Sequence, residues 1–578
     1  MSLKQLNKFE YAQPEIKISR SKFDMSFSHK TTIKAGDLVP IYLEEVLPGD
    51  TFVIDTNTLT RMNLPAVPIM DDLYQDIFFF WVPNRICCNG EKDWQRIIAN
   101  ENVNGPFAPV SEATLQNTNN TIALSDFINS DVSACFAGDS AMYDSLFNYL
   151  VNPVGYNGNS MDSDADVQLG GEISRLPFVA YGLIWNNWFR DENTQSPIAA
   201  KDLTWIQTAT EPNSCLKVNR FRDYFSSCLP APQKGASVNL PLGSLAPVVV
   251  GDDHYSAATA TNHLRFAYSG TATDDYMTLV QAKGSGNNRG DVLVNPSDTT
   301  GEISPLYTNP INLWTDLSSA TAATVSELRM AFAIQKMLET DSRCGSRYKE
   351  FLLAFYGVSI PDNTIQIPEY LGGKRFHLDV NQVVQVAPGA SSPIGNLGGI
   401  STTFNHSKSV VKSFNEHGYI IGVTCIRPQH SYSQGIPKLW TRNRRFDWYN
   451  PKFANLSEMA VFKRELFLDN NSVDPLYPNG YDVFGYQEAW AEYRFHPNKT
   501  SGALAPQNGL ADLGIWTYSD YYQSYPSLNS FNQESKDLVG RSLVDTKTKF
   551  QFLCDFFFDV KAIRPLPVFS IPGLIDHH

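Results

Sequence analysis

The residues best suited to chemistry in this 578-residue chain lie between Lys438 and Lys452. The run reads Lys-Leu-Trp-Thr-Arg-Asn-Arg-Arg-Phe-Asp-Trp-Tyr-Asn-Pro-Lys, so Arg442, Arg444 and Arg445 interleave with Trp440, Phe446, Trp448 and Tyr449. Guanidinium groups grip phosphates and flat rings stack on bases, the combination that holds single-stranded nucleic acid without reading its sequence. The same residue types are enriched at protein interfaces, and of the two readings the protein interface is favoured. A second basic stretch opens the chain: Lys4, Lys8, Lys17 and Arg20 belong to an arm over residues 1–34 that carries seven basic residues against three acidic ones. That arm suits DNA and protein contact equally. Residues 427–452 carry six basic residues against one acidic. The whole chain is nonetheless at −14, which argues against a protein wholly dedicated to nucleic acid.

Enzyme signatures are missing. There is no HExxH, GxSxG or GxxxxGK[ST] motif. Gly284, Gly286 and Gly290 have the wrong spacing for a dinucleotide loop and read as an ordinary loop. Glu488 and Glu492 could be drawn as an acid and base, but salt bridging or an interface role is the plainer reading. Asp71-Asp72 and Asp252-Asp253-His254 lack the convergent oxygen spacing of a calcium loop. The eight cysteines form no CxxC pair and read as reduced, mostly core residues. No catalytic residue, cofactor or metal is expected.

The elements that must position these residues are mostly strands. From Phe550 to Val560 six alternate positions are Phe, Phe, Cys, Phe, Phe and Val, the mark of a strand with one deeply buried face. Asp76–Val82 is apolar on both faces, so both should be covered. Leu38–Val46, Thr51–Thr56, Tyr419–Ile426, Met459–Leu468 and Glu488–Phe495 also read as strands, and Pro48-Gly49-Asp50 as a turn. Helical spacing marks Thr324–Thr340, with Val325, Leu328, Phe332 and Met337 or Leu338 on one stripe and Thr324 and Glu327 as a capping box. Shorter helices are expected at Lys349–Tyr356, Leu176–Phe189 and Asp144–Val151. Residues 243–312 are rich in Ser, Thr, Gly, Asn and Asp and read as a small β-rich surface excrescence. Many strands with a few helices in long connections indicate a mainly β protein, a β-sandwich with large insertions.

Only 18% of residues are charged and 12% are aromatic, against a usual ~25% charged. A surface so sparingly charged suits a subunit with extensive interfaces. The chain start lacks a signal peptide's apolar stretch, and no apolar run is long enough for a membrane helix, so no membrane insertion is expected.

Collinear blocks along most of the chain carry a family resemblance. They run Arg20-Ser-Lys-Phe-Asp24, His29-Lys-Thr-Thr-Ile33, Ala35-Gly-Asp-Leu-Val-Pro-Ile41, Glu45-Val-Leu-Pro-Gly-Asp-Thr-Phe52, Arg61-Met62, Pro68-Ile-Met-Asp71 and Phe78-Phe-Phe-Trp-Val-Pro-Asn-Arg85. They resume at Leu183-Ile-Trp-Asn-Asn-Trp-Phe-Arg-Asp191, Pro232-Gln-Lys-Gly235, Leu328-Arg-Met-Ala-Phe332, Ser346-Arg-Tyr348 and Pro368-Glu-Tyr-Leu-Gly-Gly373. The last are Gln434-Gly435, Arg445-Phe-Asp-Trp-Tyr449 and Phe484-Gly-Tyr-Gln-Glu-Ala-Trp-Ala-Glu-Tyr-Arg494. Together these resemble the major capsid proteins of gokushoviruses, small single-stranded-DNA bacteriophages of the Microviridae. Residues 86–92, 243–312 and the stretch after Ala505 depart from the pattern.

The resemblance implies one capsid domain over 1–578, an eight-stranded viral jelly roll with long loop insertions. It implies a homo-60-mer, a T=1 icosahedral shell around circular single-stranded DNA, made in the bacterial host cytoplasm and residing in the virion. Residues 243–312 would form a surface protrusion at the threefold axis that meets a host-cell surface receptor. Expected partners are the ssDNA genome, an internal scaffolding protein, a small DNA-binding protein and a DNA pilot protein. The residues expected to touch nucleic acid are Lys4, Lys8, Lys17, Arg20, Arg442, Arg444 and Arg445. The competing reading is a β-sandwich carbohydrate-binding or carbohydrate-active protein using the Trp- and Tyr-rich segments at 440–449 and 516–525.

Overall fold

The computed structural model describes residues 19–88, 173–201, 214–236, 325–387, 394–468, 482–506, 513–544 and 550–569, with short stretches at 129–130, 146–151, 205–206, 238, 248–250, 265–267, 276–281, 292–295 and 313–315. Contacts divide the chain into two compact units, one of residues 1–232 with 342–578 and the other of residues 233–341.

Two antiparallel sheets build the first unit. Their strands are β1 (Ser21–Asp24), β2 (Phe27–Ile33), β3 (Val39–Val46), β4 (Thr51–Met62), β5 (Leu73–Pro83), β6 (Glu369–His377), β7 (Thr403–Ser413), β8 (Gly418–Pro428) and β9 (Phe552–Arg564). In one sheet β4 lies between β7 and β9, and β1 and β2 both pair with the other edge of β9. In the other the order is β6-β5-β8-β3. Residues 84–368 intervene between β5 and β6, and residues 429–551 between β8 and β9.

The alternation in β9 does what its sequence requires. Phe552, Cys554, Phe556, Phe558, Val560 and Ala562 are buried, while Leu553 and Phe557 on the opposite face are exposed. The buried rings meet those of the other sheet: Phe558 lies 5.2 Å from Tyr42 and 6.5 Å from Phe79 between ring centroids. Both faces of β5 are covered, as its apolar sequence demands. Phe79 packs inward on Tyr42 at 5.9 Å. Phe78 and Phe80 pack outward on Phe189 and Trp188, each at 5.6 Å. Those two rings come from the helix Leu176–Ile184 and its π-helical continuation Trp185–Phe189.

Several elements depart from their sequence patterns. β4 runs six residues past the expected Thr56, because its inward positions there are Thr56, Thr58 and Thr60, buried but polar. Thr60 donates to Gln75 at 2.7 Å, which makes a hydroxyl tolerable in the core. The strand expected over Met459–Leu468 is Glu458–Phe462 followed by a helical turn at Lys463–Leu466. The strand expected over Glu488–Phe495 is Val483–Glu488, ended by Trp490 in the left-handed conformation (φ 64°) and a 3-10 turn at Ala491–Tyr493. Pro48-Gly49-Asp50 is a turn, with Gly49 at φ 94°, where a side chain would be strained.

The helix at Val325–Cys344 is present, but Met330, Phe332, Ile334 and Met337 are exposed and Leu328 and Leu338 half-buried, so the described residues do not bury the expected stripe. The following helix, Tyr348–Tyr356, buries no residue at all. The capping residue Thr324 lies outside the described residues. The segment Leu146–Val151 is helical. Within the second unit, Tyr276–Gln281 pairs with Arg265–Ala267 and Val292–Asn295, and Val248–Val250 with Leu313–Thr315, all antiparallel. Gly284–Gly290, Asp252, Asp253 and His254 lie outside the described residues. Cys87, Cys88, Cys215, Cys228, Cys425 and Cys554 are buried and Cys344 is half-buried; Cys135 lies outside the described residues. No helix among the described residues is long and apolar enough to cross a membrane.

Candidate interface at the arginine and aromatic segment

The segment 438–453 follows β8 as three successive 3-10 turns, Lys438–Trp440, Arg445–Asp447 and Pro451–Phe453. Short turns suit this sequence because Pro437 and Pro451 interrupt any longer helix. Two polar caps fix the turns. The Asp447 carboxylate accepts from the backbone N–H groups of Asn443 and Arg444 at 2.9 and 2.8 Å. Those hydrogen bonds hold its carboxyl below the ordinary value. Asn450 accepts from the Lys452 backbone N–H at 2.9 Å.

The segment is held to the turn after the strand Val483–Glu488. Arg442 pairs with Glu492 at 2.9 Å and lies over the Tyr493 ring at 4.3 Å. Lys438 stands 4.0 Å from Glu492 and 3.8 Å from Glu465. Burial pushes the Glu465 carboxyl up, against the opposing pull of Lys438. The Trp490 indole donates to the Phe453 carbonyl at 3.0 Å. Glu488, drawn above as a partner for Glu492, instead pairs with Arg494 at 2.7 Å. Both carboxylates are therefore occupied by arginines.

The segment leaves several large rings exposed. Trp440 is 75% exposed and Phe446 69%, and Trp448, Tyr449, Tyr493 and Phe495 are exposed around them. Phe446 packs edge-on against Phe453 at 5.9 Å, and Tyr449 against Trp490 at 5.6 Å, so several rings are braced from beneath. Arg444 and Arg445 are exposed at the same surface. The structure thus separates the three arginines: Arg442 braces the segment, while Arg444 and Arg445 face outward. Arg20 is placed elsewhere, with its guanidinium beside the turn at Gly49. Lys4, Lys8 and Lys17 lie outside the described residues. Of the arm expected over 1–34, residues 21–33 are strands paired with β9. Sequence reasoning missed Tyr493 as a member of this surface and the buried Trp490 as its support. The interleaving of rings and charges in Trp490-Ala-Glu-Tyr-Arg494 is the signal that could have found them.

An exposed apolar surface of this breadth belongs to a protein that is covered by others. The family model described as capsid protein (F protein) matches residues 13–131 and 137–574. The chain belongs to this phage capsid protein family. The capsid protein is 34% identical over 584 residues to capsid protein VP1 of Bdellovibrio phage phiMH2K, covering 98% of each chain. It is 32% identical to capsid protein VP1 of Chlamydia phage 1, covering 97% of this chain and 96% of that one. It is also 32% identical to capsid protein VP1 of Spiroplasma virus 4, covering 96% of both. The capsid protein is accordingly a structural, non-enzymatic component of a phage virion.

Proposed function

We propose that the capsid protein closes as 60 copies into a T=1 icosahedral shell around circular single-stranded DNA, each copy an eight-stranded jelly roll. The observation that carries this reading is the distribution of strands between the sheets. If β1 and β2 count as one interrupted strand, the first, third, sixth and eighth strands share one sheet. The second, fourth, fifth and seventh share the other. That interleaving is the signature of a double Greek key. Exposed apolar residues on the helices at 325–356 and at the 438–453 surface support contacts with neighbouring subunits. Analytical ultracentrifugation at two wavelengths should find a species of about 4 MDa, given 64.6 kDa per chain, with nuclease-protected DNA. A small oligomer that persists when scaffolding protein is supplied sinks the shell reading.

In this reading Arg444 and Arg445, with Lys4, Lys8, Lys17 and Arg20, contribute to DNA contact, and Arg442 acts through the brace it makes. Arg444→Gln with Arg445→Gln should leave the subunit folded and lower the protected DNA per particle. Unchanged yields of full particles would remove these residues from the role. The scaffolding protein, small DNA-binding protein and DNA pilot protein would meet the shell during assembly. Residues 243–312 would form the threefold protrusion that attaches to a host receptor. Their departure from the quoted sequence blocks supports a host-specific role. Deleting residues 250–305 should preserve shells and impair adsorption to host cells; loss of soluble subunit would place the region in the core instead.

A further inference from the structure

A cavity of about 670 Å³ opens against the end of the β6-β5-β8-β3 sheet. Arg190, Arg220, Arg222, Arg347, Arg375 and Arg427 all line it, with no carboxylate in the wall. Five aromatic rings, Tyr74, Phe78, Trp188, Phe189 and Phe221, complete it. This volume falls in the ~300–1,000 Å³ range of ligand sites, and arginine and aromatic groups are concentrated here as nowhere in the 438–453 segment.

The carboxylates that partly offset the arginines sit outside the wall. Asp76 is shared by Arg375 at 2.7 Å and by Arg427. Asp520 holds Arg220, Asp191 faces Arg222 at 3.3 Å, and Glu192 and Glu350 face Arg347 at 3.3 and 3.4 Å. Arg190 has no such ion pair among the described residues; its guanidinium donates to the Gln195 carbonyl at 2.7 Å. The Nε atoms of Arg190 and Arg427 are buried and donate to nothing among the described residues. Burial and the adjacent Arg347 charge pull the Arg190 pKa down, against the opposing pull of Glu192 and Asp191.

We propose that this cavity holds one nucleotide unit of single-stranded nucleic acid, its phosphate among Arg190, Arg222 and Arg347 and its base against the aromatic wall. Charge alone would suit any small anion, but an anion the size of phosphate leaves most of the cavity and all five rings unused. Base stacking on rings and on guanidinium planes uses both. Phe221 marks the junction: Arg375 and Arg427 lie 4.4 and 4.2 Å from its ring centre and hold it in place. The inference deepens the DNA-enclosing reading and rests on it, but assigns contact to residues outside the 438–453 segment.

The test is titration of purified capsid protein with a fluorescent oligothymidylate, an abasic oligonucleotide of equal length, thymidine monophosphate and inorganic phosphate. The variants are Phe221→Leu and Arg222→Gln; the Arg222 side chain is 55% exposed, so its loss spares the core. Phe221→Leu should weaken oligothymidylate about tenfold, the size of one lost stacking contact, and leave the abasic strand unchanged. Arg222→Gln should weaken both strands and reduce the salt slope by about one. Near-ultraviolet circular dichroism confirms that each variant is folded. Wild-type binding in both variants, with loss in Arg444→Gln/Arg445→Gln, would overturn the cavity and keep the DNA reading. Binding of inorganic phosphate as tight as oligothymidylate would overturn the nucleotide assignment. Tighter binding of the monophosphate than of the strand would assign the cavity to a free nucleotide and overturn its role on the genome. No strand binding by any form, wild type included, would overturn both readings.

Discussion

Asp520→Ala is expected to destabilise the folded subunit by about 3–5 kcal/mol, the cost of removing one partner from a buried charge network. Asp520 accepts from Arg220 at 2.5 Å, from Tyr522 at 2.6 Å and meets His430 at 3.0 Å. The other ring nitrogen of His430 lies 2.9 Å from Glu534. His430, Asp520 and Glu534 are buried, and the Arg220 side chain beside them is only 10% exposed. Burial raises the Asp520 carboxyl, but Arg220 and His430 outweigh it and hold the group well below the carboxylate range. Without Asp520, the largely buried Arg220 guanidinium loses its nearest carboxylate. Urea unfolding of the soluble subunit reads the loss; a midpoint shift worth under about 1 kcal/mol would show that the network carries little.

The same network sets a pH dependence. Burial pulls the His430 pKa down, but the charges of Glu534 and Asp520 outweigh it and push it up to about 9. A group raised in the folded state contributes stability that is complete below its unfolded value, ~6.5, and is lost as pH rises through the folded value. Wild-type stability should therefore fall between pH 6.5 and 9, by roughly 3 kcal/mol for this group. In His430→Gln that fall should be absent. An unfolding midpoint flat across this range in the wild type would show that His430 is not charged in the folded subunit.

Phe558→Ala is expected to cost about 3–5 kcal/mol, the range for emptying a buried aromatic site. Phe558 is fully buried between the sheets, with Phe27 at 5.2 Å and Phe556 at 6.1 Å on its own sheet and Tyr42 at 5.2 Å opposite. Its neighbour Phe557 points the other way and is exposed. Phe557→Ala should cost no more than about 0.5 kcal/mol in the isolated subunit. The pair compares two identical residues one position apart. Equal losses in denaturant melts would mean that β9 does not bury one face between the sheets.

β9 was legible because period two is unmistakable when one face is Phe, Cys, Phe, Phe and Val. The far half of β4 was not, since Thr56, Thr58 and Thr60 are polar by type and buried by position. The Val325–Cys344 helix was legible in its spacing, but spacing does not say what covers a stripe. Phe332 and Met337 are exposed, so no described part of the chain covers them. At the candidate interface, the arginine and aromatic run was visible and its division of labour was not. Arg442 looks like Arg444 and Arg445 until Glu492, fifty residues on, is brought beside it. The arginine-lined cavity escaped altogether, since its six arginines come from five separate stretches of chain, around residues 190, 220, 347, 375 and 427.

The pairing of β9 has a consequence for how the protein is made. This last strand lies between β4 and the strands β1 and β2, so the second half of translation passes with a vacant slot in the sheet. Until residue 564 clears the ribosome, β2 and β4 each present an open edge to other nascent chains. The sheet is therefore completed only by a strand synthesised some 490 residues after the β4 edge it covers. A polypeptide cut short anywhere before residue 552 cannot complete its sandwich, which keeps defective copies from being built into a particle where every position must be filled by an intact one.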